Sequence, residues 1–597
     1  MKRMLFLCLV LSVCLSFSSC ADGKNEPINR KEVVQRNNPK ISEFNELASL
    51  SVGNGEFAYT VDVTGLQTYP ELYSAGVPLG TQSQWGWHSF ANPENYRFEE
   101  TLKEYDFGRG HKELYAVQFN EPGRQREAAN WYRVNPHRLH LGTVGLELNH
   151  EDGSPVKVEE LAAINQELDL WNGQIRSSFQ LDGQSVSVVT ACDSLYDEIG
   201  AQVVSPLFAT GRVGVKLRFP YPTGKHADDA CDWTQPDKHT TTIVAQDAHS
   251  ATLKRQLDET TYYVRLSWEG DAQLSDFVLT PQSGDTLSFT CRFTSAQPDG
   301  ENLSYETLLA SATRYWNNYW SHGGIVDFSH CKDPRAKELE RRVVLSQYLM
   351  AIQCAGSVPP QEPGLTYNTW YGKFHLEMHW WHGVHFALWG RPELLERSLA
   401  WYRDSAYTNA RAIAERQGFK GVRWMKMTDP SSVEAPSKVG SFLIWQQPHF
   451  IYMAELMYRA NPSQEVLDRY KDLVAATAAF MDSFATYDEL EGRFVLKGAI
   501  PAQETLRAAE TVNPPFELSY WHYAISVAQK WRERQGLERN LQWDEMLDKL
   551  SPLAHQDGLY LAAETATDTY KDIRFTSDHM AVLGALGILP KCPLVRE

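Results

Sequence analysis

A change in hydrophobic periodicity near residue 300 constrains the fold of this chain more than any other feature of its sequence. Before the change, apolar and polar residues alternate in short runs such as 185–190, 213–219 and 262–268, with turn-forming residues between them. Alternation with a period of two is typical of antiparallel strands that bury one face. From residue 303 onwards, apolar residues recur three and four positions apart, which is typical of helices. The sequence therefore predicts an antiparallel β-sandwich followed by a helical domain.

The helical half contains long loops rich in Trp, Pro and Gly over 356–374, 418–440 and 496–516. Long loops within a compact helical domain usually carry a function. Paired helices whose loops gather at one end indicate an (α/α)6 toroid around a central pocket, so the predicted fold class is multidomain α+β. The predicted organisation is a signal peptide over 1–19, a tether over 20–40, a β-sandwich domain over 41–300, a linker helix over 301–332 and an (α/α)6 toroid over 333–597.

The N-terminus predicts export. A short positive region precedes an apolar run over residues 5–17, and small residues then lead to Cys20. This arrangement is typical of a bacterial export leader, and small residues before a cysteine are typical of a lipoprotein. We therefore expect cleavage before Cys20, acylation of that cysteine and a location in the periplasm or on the outer membrane. Simple secretion with an unmodified Cys20 is the alternative.

Composition narrows the class of partner. Lys and Arg number 57 against 75 Asp and Glu, a formal net charge of −18. An acidic excess of this size disfavours binding to nucleic acid phosphates, and no polybasic segment suits an anionic lipid surface. Aromatic residues make up 12% of the chain and include 18 Trp. Because planar rings stack on the C–H faces of sugars, this excess hints at a carbohydrate ligand, with a large aromatic core as the alternative.

Aromatic and ionisable side chains crowd the segment 370–382. Its members are Trp370, Trp380, Trp381, Glu377, His375, His379 and His382. The three histidines lie four and three positions apart, so they share one face of the predicted helix. They lack the HExxH spacing of zinc proteases, so we predict no metal and expect the imidazoles to form hydrogen bonds or to bind a polar ligand.

A second cluster combines Trp424 and Lys426 with Gln446, Gln447 and His449. Neighbouring amides and an imidazole supply several hydrogen-bond donors and acceptors. This set suits the hydroxyl groups of a polyol bound in a pocket. The alternative is a buried polar network that braces the start of a predicted helix over 441–459. Both interpretations remain open at the level of sequence.

Carboxyl groups occupy two further loops. Glu504 follows a proline in a loop between predicted helices, where partial burial would raise its pKa and suit it to act as a general acid. The alternative is an ordinary solvated glutamate. Asp578 precedes a predicted helix over 580–589, so it is either a catalytic carboxylate or an N-terminal helix cap.

Several motifs resemble the six-hairpin glycosidase superfamily, and most closely glycoside hydrolase family 65 and its bacterial relatives. Ser51-Val-Gly-Asn-Gly-Glu-Phe57 is similar to the opening of the family's N-terminal β-supersandwich, and the likeness continues through 64–68 and 135–139. The segment 372–379 resembles the barrel motif GxxFWDTE, and 500–504 resembles the general-acid motif GPDEY. The resemblance covers nearly all of the mature chain. The order of its motifs implies a β-supersandwich, a linker helix and an (α/α)6 barrel.

The resemblance also implies roles for individual residues. It places the general acid on Glu504, the sugar-binding aspartate of the family on Glu377 and a later motif asparagine on Asn513. His379 stands where the family has a glutamate, which leaves the substrate open. Family phosphorylases bind phosphate in a C-terminal loop, but here that loop carries Asp578, which would repel phosphate and could activate water.

The predicted function is therefore inverting hydrolysis of an oligosaccharide without a cofactor. Glu504 would protonate the leaving oxygen, and Asp578, or failing that Glu377, would deprotonate a water. The remaining predicted binding residues would stack on the sugar or bond its hydroxyls: Trp370, His379, Trp380, Trp381, Trp424, Lys426, Gln446, Gln447, His449 and Asn513. The alternatives are a phosphorylase on the same scaffold and a non-catalytic glycan-binding lipoprotein.

Overall fold

The computed structural model describes residues 27–590 and 592–595. The predicted signal peptide and Cys20 lie outside the described residues. Within the predicted tether, the helix Arg30–Arg36 buries Val33 and Val34, and Arg36 donates to Glu340 at 2.8 Å. Residues 30–36 therefore belong to the folded body, and the prediction of a tether is wrong for them.

The strand-rich half is built around a nine-stranded sheet in which every neighbouring pair is antiparallel. In spatial order its strands are Lys40–Ile41, Ala162–Asp169, Gln174–Leu181, Gln184–Cys192, Glu198–Val204, Thr286–Thr294, Thr260–Glu269, Ser250–Leu257 and His239–Gln246. The runs 185–190 and 262–268 lie within these strands, so their predicted conformation is confirmed.

Two smaller antiparallel sheets accompany the large one. The four-stranded sheet consists of Ala272–Ser275, Val278–Pro281, Val213–Arg218 and Thr143–Leu148, and the three-stranded sheet of Leu50–Gly53, Phe57–Val61 and Thr81–Ser83. Tyr59 of the three-stranded sheet donates to the carbonyl of Val144 in the four-stranded sheet at 2.5 Å. Apolar side chains of all three sheets share one hydrophobic core, and every residue of the three-stranded sheet is buried.

The helix Tyr305–Ser321 follows the strand-rich half within the predicted linker. Its buried face includes Trp316 and Trp320, and Trp320 donates to the carbonyl of Leu170 at 2.7 Å. The helix thus packs on the large sheet before the chain enters its helical half. No helix among residues 27–590 and 592–595 has the length and apolar character needed to cross a membrane.

The helical half contains helices of 4 to 21 residues joined by short strand pairs and loops. The helices are Ala336–Cys354, Leu376–Leu388, Pro392–Trp401, Tyr407–Arg416, His449–Ala460, Gln464–Phe484, Pro515–Arg534, Leu541–Lys549, Ile573–Thr576 and Gly584–Gly587. Tyr348 donates to the carbonyl of Ser51 at 3.0 Å, which ties the first of these helices to the three-stranded sheet. The predicted helix over 441–459 begins only at His449, because Leu443 forms a parallel bridge with Ile500.

Candidate active site

A cavity of about 810 Å³ opens in the helical half, within the size range of small-molecule sites. Its lining is Glu362, Trp370, Glu377, Met378, Trp381, Lys426, Trp445, Ala502, Glu504, Phe516, His579, Met580, Ala581, Leu583, Gly584, Gly587 and Ile588. Glu377, Met378 and Trp381 come from the helix Leu376–Leu388 and Phe516 from the helix Pro515–Arg534, whereas the other lining residues come from loops and from the C-terminal segment. Loops that are distant in sequence therefore meet around one space.

Four charged side chains on this cavity form what we call the lysine–carboxylate cluster: Lys426, Glu362, Glu377 and Glu504. Lys426 Nζ lies 3.4 Å from Glu377 Oε1 and 3.1 Å from Glu504 Oε1. The same ammonium lies 4.7 Å from the ring centre of Trp370, within the range of a cation–π interaction. One cation thus gathers two carboxyl groups and an aromatic wall.

Burial controls protonation in this cluster. Glu377 sits in the first turn of the helix Leu376–Leu388 and is buried, which raises its pKa to about 8 even though Lys426 counteracts the shift. Its Oε2 has no hydrogen-bond partner among the described residues. Burial also raises the pKa of Glu362, against the opposing charge of Lys426. Lys426 stays charged, because the two neighbouring carboxyl groups outweigh its own burial and raise its pKa.

Trp370 is positioned by a left-handed turn and by contacts from the strand-rich half. Trp370 and Tyr371 adopt φ of 51° and 62°, a strained conformation for residues with a side chain. The preceding strand Asn368–Thr369 pairs with Ala227–Asp228, and His226 lies 4.4 Å from Trp370 between ring centres. The strand-rich half therefore holds one wall of the cavity in place.

Glu504 lies on a loop that is fixed on both sides. The amide of Ala502 donates to buried Glu517 at 2.6 Å, and the amide of Thr505 donates to Asp578 Oδ2 at 2.9 Å. Gln503 donates to the carbonyl of Phe575 at 2.8 Å. The side chain of Glu504 is thereby presented to the cavity from a short, well-anchored segment.

Five of the residues predicted from sequence line this cavity: Trp370, Glu377, Trp381, Lys426 and Glu504. They span more than a hundred positions in the chain, as expected for loops that meet on one side of a helical domain. Their chemistry is that of a polar centre with aromatic walls.

A second group lies beside the cavity and does not line it; we call Gln446, Gln447 and His449 the amide network. Gln447 accepts from the amide of Trp424 at 2.9 Å and donates to the carbonyl of Val422 at 2.6 Å. Gln446 donates to the carbonyl of Trp424 at 3.0 Å. These contacts match the alternative of a bracing network, because the amides satisfy backbone groups.

His449 and Trp424 are equally committed to the interior. His449 pairs through Nδ1 with the hydroxyl of Tyr520 at 2.8 Å and through Nε2 with the carbonyl of Glu377 at 3.0 Å. Trp424 is buried and donates to Thr477 at 3.0 Å. Both residues therefore belong to the packed interior next to the cavity and not to its lining.

The remaining predicted binding residues also face the protein. His379 forms hydrogen bonds with Tyr402 and Ser398 at 2.9 and 2.8 Å. Trp380 packs against the lining residue Trp381 but does not itself line the cavity. Asn513 accepts from the amide of Leu496 and donates to Glu564. Within the described chain, no group of three or more His, Cys, Asp or Glu side chains is placed to hold a metal ion.

Asp578, the first choice for the catalytic base, is not part of the lining. Its Oδ2 accepts from the amide of Thr505, and its Oδ1 accepts from the amide of His579 at 2.7 Å. The adjacent helix predicted over 580–589 is a 3₁₀ turn, Ala581–Leu583, followed by the short helix Gly584–Gly587. The carboxylate therefore binds the loop that carries Glu504 to the C-terminal segment.

Several lining residues escaped the sequence interpretation. Glu362 lies in a loop without periodicity, and only its inclusion in the functional loop 356–374 pointed to it. Trp445 lines the cavity, and its indole N–H has no partner among the described residues. Phe516 and residues 580–588 are apolar, so they carry no chemical signal that a sequence could reveal.

Comparison with known proteins informs the fold alone. No protein-family model and no curated protein matches this chain. Among solved structures it is similar to one described as a kojibiose phosphorylase from the human microbiome, with a TM-score of 0.61 and 10% identity over 88% of this chain and 71% of that one.

Two further solved structures are more distant. One is a bacterial glucoamylase complexed with acarbose, with a TM-score of 0.38 and 10% identity over 88% of this chain and 71% of that one. The other is a GH92 α-mannosidase from Bacteroides thetaiotaomicron in complex with mannoimidazole, with a TM-score of 0.35 and 9% identity over 83% and 60%. The chain thus shares its fold with the first protein, and its function must be argued from the site.

Proposed function

We propose that this protein is a glycoside hydrolase whose active site is the lysine–carboxylate cluster. The observation that carries the proposal is the meeting of three carboxyl groups and one ammonium in a cavity walled by Trp370, Trp381 and Trp445. Paired carboxyl groups provide the acid and the base for cleavage of a glycosidic bond, and indole rings stack on sugar faces.

Glu504 is the proposed general acid, as its motif suggests. Lys426 Nζ lies 3.4 Å from Glu377 Oε1 and 3.1 Å from Glu504 Oε1, so these two oxygens are at most about 6.5 Å apart. That bound only reaches the lower end of the ~6.5–9.5 Å that an inverting pair needs to hold a water. Glu377 is thus better suited to bind a sugar hydroxyl, since a protonated carboxyl both donates and accepts.

Glu362 is the proposed base in place of Asp578. It lines the same cavity, remains partly solvated and carries a carboxyl made more basic by burial. In the reaction, Glu504 gives its proton to the leaving oxygen as the glycosidic C–O bond breaks. Glu362 takes a proton from a water, whose oxygen bonds to the anomeric carbon from the opposite face.

Phosphorolysis is the weaker alternative on this site. A phosphate dianion would enter a cavity that holds the ionised base Glu362, and Lys426 Nζ already lies 3.1 Å from Glu504 Oε1 and 3.4 Å from Glu377 Oε1. Carboxylates at short range repel such an anion. A water is neutral and meets no such barrier.

We also propose the finer architecture and the location expected from the sequence. Consecutive helices of the helical half pack on one another, as Pro392–Trp401 does on Leu376–Leu388 and Pro515–Arg534 on Gln464–Phe484. This pairing supports an (α/α)6 toroid with the cavity at one end. Export and acylation of Cys20 remain proposals, testable by metabolic labelling with a fatty-acid analogue in the wild type and in Cys20→Ala.

The test of the catalytic proposal combines a substrate panel with azide rescue. The mature protein should release free sugar from aryl glycosides and disaccharides, with or without phosphate, and proton NMR of early product should show the inverted anomer. Glu362→Gln should lose activity and regain turnover when azide is added, with a glycosyl azide as the product. Azide should not restore turnover in the matched variant Glu377→Gln. Sugar phosphate as the product, or binding without turnover across the panel, would contradict hydrolysis.

A further inference from the structure

The lining of the cavity has two chemically different parts. One is the lysine–carboxylate cluster, and we call six apolar residues of the other part the C-terminal wall: Met580, Ala581, Leu583, Gly584, Gly587 and Ile588. No side chain of this wall can form a conventional hydrogen bond. A second sugar ring placed there would lose water from its hydroxyls without replacement bonds, which is unfavourable.

The wall continues onto other apolar side chains. Phe516 contacts it directly, since a Cβ added to Gly584 would meet the Phe516 ring at 2.9 Å. Trp445 lies 6.4 Å from Phe516 between ring centres. The absence of a side chain at Gly584 lets the C-terminal segment lie flat on the phenyl ring, so the surface is continuous from the wall to Trp445.

The wall lies on the side of the cavity where Glu504 delivers its proton. Its first residue, Met580, follows directly on the two residues that hold the Glu504 loop. His579 pairs with the carbonyl of Ala502 at 3.2 Å, and Asp578 accepts from Thr505 at 2.9 Å. The wall therefore begins beside the loop of the proposed general acid, so the group that Glu504 protonates would leave next to it.

From this geometry, and resting on the proposed hydrolase activity, we propose that the substrate is a glycoside of an apolar alcohol, whose aryl or alkyl aglycone lies on the C-terminal wall. Leu583 is 70% exposed at the cavity and has no apolar cover for most of its side chain. An apolar aglycone would remove that surface from water, which is favourable in proportion to the area buried. The oligosaccharide expected from sequence is the rival substrate.

An alkyl series tests this assignment without changing the chemistry of the leaving group. Methyl, butyl and octyl glycosides of glucose, galactose and mannose in both anomers would be assayed below their micelle concentrations, beside disaccharides of the same sugars. We expect kcat/KM to rise about tenfold or more from methyl to octyl. Leu583→Gln should reduce that ratio about three- to tenfold.

The chain offers a matched control. Leu586 lies three residues further on, in the short helix Gly584–Gly587, is 64% exposed and does not line the cavity, so Leu586→Gln should keep the wild-type ratio. Both side chains are mostly exposed, so neither change should prevent folding.

Each outcome separates the two proposals. A flat alkyl series with faster hydrolysis of disaccharides overturns the apolar aglycone and leaves the hydrolase standing. If no glycoside is turned over, the proposed hydrolase activity is wrong. Calorimetric binding of octyl and methyl glycosides then tests whether the C-terminal wall is an apolar site. Octyl glycosides that then bind no tighter than methyl glycosides, or equally to Leu583→Gln, overturn the apolar site as well.

Discussion

The amide network and the lysine–carboxylate cluster are attached to the same short segment, yet they use their polar atoms in opposite ways. Gln447 bonds the backbone at Val422 and Trp424 through both its oxygen and its nitrogen, and it does not line the cavity. Lys426, two positions further along, points its ammonium at two carboxyl groups in an open cavity. The amide network bonds the backbone, whereas the cluster directs its charged groups into a cavity that a ligand can enter.

This difference follows from what surrounds each group. Buried side-chain amides are stable only when they form hydrogen bonds, so they pair with nearby backbone groups that have no other partner. Around Lys426, the Oε2 of Glu377 has no partner among the described residues, and burial holds a proton on that carboxyl. Unpaired, buried ionisable groups cost stability, and they are typical of active sites. Substitutions in the cluster should therefore mainly lower activity, and substitutions in the amide network should mainly lower stability.

The largest expected effect is on catalysis in the cluster. Glu504→Gln keeps the shape of the side chain and removes its proton, so kcat on an alkyl glycoside should fall by about 10²- to 10⁴-fold. An aryl glycoside with an acidic leaving group needs little protonation and should lose much less. Steady-state kinetics on both substrates measures the difference. An equal loss on both would assign Glu504 to binding, and an unchanged unfolding temperature would exclude a folding defect.

The second effect is on stability and lies in the amide network. Gln447→Leu removes two buried hydrogen bonds and leaves backbone groups without partners, which should cost about 2–4 kcal/mol of unfolding free energy. Lys426 is held separately, because the amide of Leu376 donates to its carbonyl at 2.7 Å. The kcat of the folded variant should therefore stay within about threefold of the wild type. Urea unfolding and kinetics on the same preparation check both values.

A reversed result would erase the distinction between the two groups. If Gln447→Leu lowered kcat as strongly as Glu504→Gln while its unfolding free energy stayed unchanged, the amide network would belong to the site. The interpretation of Gln446 and His449 as backbone supports would then be wrong as well.

The sequence predicted the fold better than the site because periodicity records burial and not function. Alternation predicted the strand Gln184–Cys192, and apolar residues at helical spacing predicted a helix over 464–486, which the structure has as Gln464–Phe484. The start of the predicted helix over 441–459 was wrong, since apolar residues with helical spacing there serve a tertiary bridge between Leu443 and Ile500. Tertiary pairing of this kind leaves no local signal.

Within the site, motif order located Glu377 and Glu504, but residue type could not separate ligand-binding amides from bracing ones. Gln447 offered the right donors and acceptors, and only the structure shows that the backbone uses them. Glu362 sits in an aperiodic loop, and Leu583 has no reactive group. Such residues become recognisable only when distant loops are brought together.

The third effect is a pH dependence of stability that comes from the cluster. Burial raises the pKa of Glu377 to about 8, against ~4.3 in an unfolded chain, so the folded state binds more protons between these values. Stability should therefore fall as pH rises through this window, by at most about 2 kcal/mol between pH 6.5 and 8. Glu377→Gln removes the titrating group and should show a shallower decline.

Buried histidines provide the opposing reference. Burial lowers the pKa of His449 to about 3, so its stabilising effect is present above pH 6.5 and is lost as pH falls below that. Urea unfolding between pH 6.5 and 8.5 therefore avoids the histidines, and the difference between the wild type and Glu377→Gln separates this carboxyl from Glu517 and Asp197, whose pKa values burial raises to about 7. Parallel slopes for the wild type and Glu377→Gln would mean that Glu377 is already ionised in the folded protein.

The smallest expected effect concerns Asp578, which belongs with the supporting residues even though it touches the Glu504 loop. Asp578→Asn leaves one oxygen to accept from the amide of Thr505 or of His579, and its new NH₂ faces the other amide. Losing one such bond should cost about 1 kcal/mol and loosen the loop, so kcat should fall less than about tenfold on aryl and alkyl glycosides alike. Azide should restore nothing, because no water-activating group has been removed. A loss of ~10²-fold or more on both substrates with azide rescue would instead make Asp578 the base and return Glu362 to the wall of the cavity.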